Sequence, residues 1–190
     1  MERVNLGDLS QYKSIDDLHK KWDKHNTGRW YTDVLIEYAS LSDVNTIIEF
    51  GLFQGMSAVA FLTTNIKKLY SVDATLQYSS KDEINIIKNL SIPEWEIIIQ
   101  SSLIPLNIEA DLIFLDTKHT YQQVSQELDI HCNIANKYII IHDTNFPVKN
   151  SLKVKHAVFD FLKDNKNKVW ELDYYDSRRT GIMVLKNIGE

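Results

Sequence analysis

Thr46-Ile47-Ile48-Glu49-Phe50-Gly51-Leu52-Phe53-Gln54-Gly55 is followed, about one βα unit later, by Leu69-Tyr70-Ser71-Val72-Asp73. A β-branched apolar run that breaks at an acidic residue, then Gly-x-x-x-Gly, then a second strand ending in Asp, describes a nucleoside-binding crevice in an open α/β sheet. Gly51 and Gly55 permit a tight turn and close approach of a ligand to the backbone. The spacing is not the dinucleotide fingerprint Gly-x-Gly-x-x-Gly. Phe53 stands where a small residue would let a pyrophosphate approach, and the Glu49 carboxylate would repel phosphates. That carboxylate can accept a hydrogen bond from an ammonium or hold the loop through backbone amides. Asp73, 22 residues after Gly51, is placed to accept hydrogen bonds from both hydroxyls of a ribose. Alone it reads equally well as a helix cap.

Outward from this stretch the pattern alternates. Strands are expected at 46–50, 69–73, 95–99, 111–116, 138–142, 168–173 and 181–186, with helices at about 56–66, 80–90, 121–134 and 152–163. Strands apolar on both faces, such as Leu112-Ile113-Phe114-Leu115 and Tyr138-Ile139-Ile140-Ile141, imply a parallel sheet covered by helices. Only Gln100 to Ala110 separates the third strand from the fourth, so the usual crossover helix there is a short turn or missing. About six residues join the last two strands, too few for a parallel crossover, so they form an antiparallel hairpin. Upstream, Ser14 caps a first helix with Leu18 and Trp22 on its apolar side. Tyr31, Val34, Leu35, Tyr38 and Ala39 mark one face of a second.

The chain of 190 residues reads as a single domain, an N-terminal helical cover over 1–42 and an α/β core over 43–190. A formal charge of −5 and a pI near 5.7, with scattered cations, do not supply the basic surface of a nucleic-acid binder. The single cysteine, Cys132, rules out an intramolecular disulfide and fits a reducing cytoplasm; its simplest role is a small core hydrophobe. The first residues have no apolar signal region, and no run approaches the ~18 apolar residues of a membrane span. The expectation is a soluble, unexported protein with a small-molecule partner.

A second constellation comprises Asp116-Thr117-Lys118-His119-Thr120-Tyr121 and His142-Asp143-Thr144. Asp116 and Asp143 each follow an apolar strand, and if those strands are neighbours, about 4.8 Å apart, their carboxylates can converge on one cation. Thr120-x-x-Gln123 reads as a capping box that leaves His119 in the loop. Taken singly, His119 is more simply an exposed loop residue and His142 a core histidine; the clustering favours chemistry. His19, His25, His131 and His156 are assigned none. Tyr174, Tyr175, Arg178 and Arg179 lie at the final hairpin turn, where the arginines can clamp an anionic or sugar substrate, although a solvated turn is the plainer reading. No Gly-x-Ser-x-Gly or cysteine nucleophile accompanies the acidic cluster, so covalent catalysis is not indicated.

Four motifs in register over residues 45–145 resemble the small class I S-adenosylmethionine-dependent methyltransferases: Glu49-x-Gly51-x-x-x-Gly55-x-Ser57, Ser71-Val72-Asp73, Asp116-x-x-His119-x-Tyr121 and His142-Asp143-Thr144. The resemblance extends to metal-dependent O-methyltransferases of sugars and other hydroxylated natural products. It implies a Rossmann-like, mostly parallel seven-stranded sheet with a C-terminal antiparallel hairpin and helices on both faces. Glu49, Gly51, Gly55, Ser57, Asp73 and Ser101 would bind S-adenosyl-L-methionine, which carries an amino acid and no phosphate. Asp116, His142 and Asp143 would bind a divalent metal, Mg²⁺ or Mn²⁺, and His119 and Asp116 would be catalytic, His119 as general base. Thr117 stands where a glycine is common, and Asn136-Lys137 replaces a Gly-Gly pair.

The expected reaction is methylation of a hydroxyl on a small molecule or sugar. Two alternatives stay open. A non-haem iron oxygenase would use His119, His142 and Asp116; a catalytically silent cofactor-binding domain would use only Glu49 and Asp73. Acceptor selectivity would come from Arg29-Trp30-Tyr31, Asn145-Phe146-Pro147 and the Tyr174–Arg179 turn. The aromatic N-terminal segment offers a surface for a second subunit.

Overall fold

The computed structural model describes residues 11–25, 29–76, 81–145, 153–164 and 169–189, with backbone alone for 22–25, 29 and 81–83. Phe146, Pro147 and the Trp22, His25 and Arg29 side chains lie outside the described set. The chain divides into two compact units, Met1–Gln100 and Ser101–Glu190. The first holds α1 (Ile15–His25), α2 (Arg29–Ala39), β1 (Thr46–Phe50), α3 (Met56–Leu62), β2 (Lys68–Asp73), α4 (Lys81–Leu90) and β3 (Glu94–Ile99). The second holds β4 (Ala110–Leu115), α5 (Tyr121–His131), β5 (Ala135–His142), α6 (Val154–Asp164), β6 (Trp170–Asp176) and β7 (Ile182–Asn187). The seven strands run β3-β2-β1 in the first unit and β4-β5-β7-β6 in the second. β1, β2 and β3 are mutually parallel, as are β4 and β5, while β7 is antiparallel to both β5 and β6. This is the expected seven-stranded, mostly parallel Rossmann-like sheet with its C-terminal hairpin.

In the first unit, α3 is buried along Ser57–Leu62, where it packs against α1, α2 and β2. A helix apolar all round needs such cover. It stops four residues before the expected end. The hydroxyls of Thr63 and Thr64 donate to the Ala60 and Phe61 carbonyls, each at 2.7 Å, offering the backbone an alternative to a further helical turn. The Ser14 hydroxyl accepts from the Asp17 amide at 3.2 Å, capping α1 as read. Tyr31, Val34, Leu35 and Ala39 are buried on α2.

In the second unit, the β4 run Leu112–Leu115, the β5 run Tyr138–Ile141 and the β7 run Ile182–Leu185 are buried on both faces. Central strands covered by helices need that uniform apolarity. β6 extends to Asp176, beyond its expected end, because it follows its antiparallel partner β7 to the hairpin. Its register shift between Leu172 and Tyr174 and its exposed Glu171 and Asp173 suit an edge strand. The segment between β3 and β4 contains turns and no helix. Among the described residues no helix is long and apolar enough to cross a membrane.

Candidate functional site

The glycine loop of the first unit is built from positive-φ residues. Gly51 (φ 98°), Phe53 (φ 46°) and Gly55 (φ 85°) turn the chain sharply between β1 and α3. The Gly51 amide continues the ladder by donating to the Val72 carbonyl at 2.9 Å. Asp73 then closes the loop: one carboxylate oxygen accepts from the Leu52 amide at 2.8 Å and the Phe53 amide at 3.2 Å, and the other accepts from the Thr75 amide at 3.0 Å. The carboxylate remains partly accessible, with lone pairs to spare for a ligand hydroxyl.

Glu49 does something the sequence reading did not foresee. It is fully buried, and it accepts from the Ser57 hydroxyl at 2.6 Å and from the Ser71 hydroxyl. Ser71 in turn accepts from the Trp95 indole N–H at 2.7 Å. Glu49 and Ser71 are register partners on β1 and β2, so the carboxylate ties two strands and α3 together below the loop.

In the second unit, β4 and β5 are adjacent and parallel, with Leu115 opposite Ile141. The residues that follow them converge. His142 Nδ1 lies 3.1 Å from Asp116 Oδ1 and 3.5 Å from Asp143 Oδ1. His119 reaches from its loop between the two carboxylates, Nε2 at 3.2 Å from Asp116 Oδ1 and Nδ1 at 2.6 Å from Asp143 Oδ2. Asp143 is 2 % exposed, takes a left-handed backbone (φ 55°), and its Oδ1 has no hydrogen-bond partner among the described residues. A strained residue of this kind persists only where its surroundings enforce it.

The charges in the cluster balance by mutual attraction. Burial raises the Asp116 pKa, but the two histidines outweigh it and hold the carboxyl well below its usual range. Burial lowers the His119 pKa, and hydrogen bonds and charge from Asp116 and Asp143 push it up to about 10. His142 is likewise raised, with Asp116 overcoming burial. Without a further cation, the imidazoles supply the positive charge that two close carboxylates need.

Other expected residues divide between local structure and exposure. The Thr120 hydroxyl accepts from the Gln123 amide at 3.3 Å, but the capping box is only half formed. The Gln123 side chain donates instead to Ser102 Oγ at 3.0 Å and Glu127 Oε1 at 2.8 Å. The Ser101 hydroxyl accepts from the Leu103 amide at 3.2 Å. Arg178 is bound to Asp176 through Nε and Nη2, and those hydrogen bonds hold the Asp176 carboxyl below its ordinary pKa. Arg179 is exposed at φ 52°. His156 Nδ1 accepts from the Lys153 amide at 2.9 Å at the start of α6. Cys132 is buried, as a core residue. The buried Glu127 was missed altogether, because a glutamate on an amphipathic helix reads as solvent-facing.

No protein-family model and no curated protein matches the chain. Solved structures do, at low identity. A small RNA methyltransferase, HEN1, is 10% identical with a TM-score of 0.67, over 86% of this chain and 25% of that one, so the chain spans a quarter of its length. Magnesium protoporphyrin IX methyltransferase from Synechocystis, with S-adenosylhomocysteine bound, is 12% identical with a TM-score of 0.63, over 100% of this chain and 90% of that one. An S-adenosylmethionine-dependent O-methyltransferase from Thermotoga maritima is 11% identical with a TM-score of 0.63, over 97% of this chain and 73% of that one. The fold of this chain is that of S-adenosylmethionine-dependent methyltransferases.

Proposed function

We propose that the chain is an S-adenosylmethionine-dependent methyltransferase acting on a hydroxyl of a small molecule or sugar. The observation that carries this reading is the glycine loop between β1 and α3 closed by the Asp73 carboxylate, on the fold shared with methyltransferases that bind this cofactor. Gly51, Gly55 and Asp73 would form its cradle, with Ser101 in the cofactor set. Glu49 and Ser57 would support the loop from below through the hydrogen bonds they share.

The Asp116, His142 and Asp143 group fits a divalent cation. One ligand atom from each lies within 4.8 Å of the others, and the buried Oδ1 of Asp143, without a hydrogen-bond partner among the described residues, is the kind of oxygen that a cation satisfies. Two carboxylates and an imidazole suit Mn²⁺ or a later transition metal as readily as Mg²⁺. Such an ion would lower the pKa of an acceptor hydroxyl when bound.

The reaction breaks the methyl carbon–sulfur bond, forms a carbon–oxygen bond and releases S-adenosylhomocysteine and the hydroxyl proton. His119 would take that proton. Its pairing with Asp116 and Asp143 orients the ring and favours its charged form, so it would act as a base once those carboxylates are engaged elsewhere. General-base help of this kind contributes roughly 10²–10⁴-fold.

The test is calorimetric titration with S-adenosylhomocysteine. Saturable binding near micromolar, about −8 kcal/mol, is expected. No binding at high protein concentration would overturn the assignment, and the silent cofactor-binding domain with it, and move the iron oxygenase ahead.

A further inference from the structure

His142 and Asp143 are successive residues, yet both side chains enter one cluster: His142 Nδ1 lies 3.1 Å from Asp116 Oδ1, and Asp143 Oδ2 lies 2.6 Å from His119 Nδ1. Successive residues of a regular strand point to opposite faces of the sheet. The exception is made by the backbone of Asp143, at φ 55°. β5 runs in step with β7 as far as His142 opposite Ile182, which in step would place Thr144 opposite Thr180. The Thr144 amide donates instead to the Gly181 carbonyl at 3.2 Å, and the Asn145 amide donates to the Thr180 carbonyl. The pairing has slipped by one residue at Asp143. A bulge of this kind re-aims a side chain, and bulges gather beside active sites.

A left-handed aspartate is strained, and it stays so only while its flanks are held. On one side His142 is fixed by the ladder with β7. On the other the hold comes from the turn between β6 and β7. Besides the two amide bonds, Asn145 Nδ2 donates to the Ser177 carbonyl at 2.9 Å, and the Tyr175 hydroxyl donates to Asn145 Oδ1 at 3.5 Å. Gly181 lets the turn come this close, since a Cβ there would lie 3.0 Å from Asn145 Cβ. We infer that Asn145 is a positioning residue for the cation group: its clamp on the hairpin turn keeps Asp143 in the bulge, and so keeps the Asp143 carboxylate and the His142 imidazole in one cluster with Asp116.

The inference rests on the cation reading of Asp116, His142 and Asp143, and its test separates the two. Mn²⁺ alone is titrated into the full chain by calorimetry, and thermal melting follows the fold of each variant. Asn187 supplies a matched control at the far end of the β5–β7 pair: its Nδ2 donates to the Asn136 carbonyl at 3.1 Å, and its Oδ1 accepts from the Gly189 amide at 3.0 Å. Asn145→Ala is expected to weaken Mn²⁺ binding by about tenfold or more, as loss of a group that orients a ligand does. Asn187→Ala, which removes a comparable pair of bonds, is expected to leave the affinity within about twofold. Should Asn145→Ala not melt cooperatively, Tyr175→Phe, which removes only the outer bond, is expected to weaken binding by about threefold against the same control. Wild-type Mn²⁺ affinity in the folded Asn145→Ala protein, or in Tyr175→Phe where that variant replaces it, would overturn the inference and leave the cation group standing. So would equal weakening by Asn145→Ala and Asn187→Ala, the result of a hairpin loosened throughout. No Mn²⁺ binding by the wild type would overturn the cation reading, and the inference with it.

Discussion

His119 Nδ1 lies 2.6 Å from Oδ2 of Asp143, while the other oxygen of that carboxylate has no hydrogen-bond partner among the described residues. One oxygen is satisfied by an imidazole, while its twin is buried with only the more distant His142 Nδ1, at 3.5 Å, for company. Leaving such an oxygen without a partner costs about 1–3 kcal/mol, which a bound cation would recover. Asp143→Asn is therefore expected to weaken Mn²⁺ binding at least tenfold, measured by titration calorimetry, while S-adenosylhomocysteine affinity stays within about twofold, since Asp143 is not in the cofactor set. Equal Mn²⁺ affinity in the variant would remove Asp143 from the ligand set.

Glu49 invites a stability prediction because its partners are internal. Glu49→Ala strands the Ser57 and Ser71 hydroxyls and leaves a void in the core, for an expected loss of about 2–4 kcal/mol in urea unfolding. Glu49→Gln keeps one acceptor and presents a donor that Ser57 can turn to accept, so about 1 kcal/mol is expected. Wild-type stability in the alanine variant would show that the carboxylate is not the brace that its geometry describes.

The strands were legible because both-face apolarity and the turn residues between them leave few alternatives. The cluster of Asp116, His119, His142 and Asp143 was legible for a related reason: residues that follow adjacent parallel strands must come together, and the sequence shows where each strand ends. What escaped reading depends on pairing across elements. Glu49 meets Ser71 only because the β1–β2 register sets them opposite, and no local pattern encodes that register. Gln123, Glu127 and His131 carry a visible four-residue spacing, yet a polar helical stripe usually faces water, and only the fold shows Ser102 and Thr117 beneath it. Arg178 looked available for substrate until Asp176, two residues away, became its partner.

Gly181 and Gly55 form a matched pair of substitutions. Both have φ near +80°, so alanine at either costs about 1–2 kcal/mol in backbone strain. A Cβ at Gly55 would meet Leu52 Cδ1 at 3.6 Å, an ordinary contact, whereas at Gly181 it would lie 2.5 Å from Thr144 Oγ1 and 2.9 Å from the Asn145 backbone nitrogen. Gly181 also accepts from the Thr144 amide through its own carbonyl, so the turn cannot retreat without releasing the residue after Asp143. Gly181→Ala should cost about 1–3 kcal/mol more than Gly55→Ala in denaturant unfolding. Similar costs would mean that the hairpin turn yields freely.

His131 gives the chain a pH dependence that can be isolated. Burial lowers its pKa, only partly offset by the hydrogen bond to the Ser102 carbonyl, so the folded protein takes up this proton less readily than the unfolded chain. A depressed folded pKa means that the unfolded state binds more protons as pH falls below the usual histidine range near 6.5, and the contribution to stability shrinks there. His119 and His142 are shifted upward and act with the opposite sign, which hides the effect in the wild type alone. His131→Gln keeps a donor for the Ser102 carbonyl and removes the titration. The stability difference between wild type and His131→Gln should therefore narrow between pH 7 and pH 5, with a slope of at most about 1.4 kcal/mol per pH unit. A pH-independent difference would show that His131 holds its proton equally well in both states, its bond to Ser102 offsetting its burial.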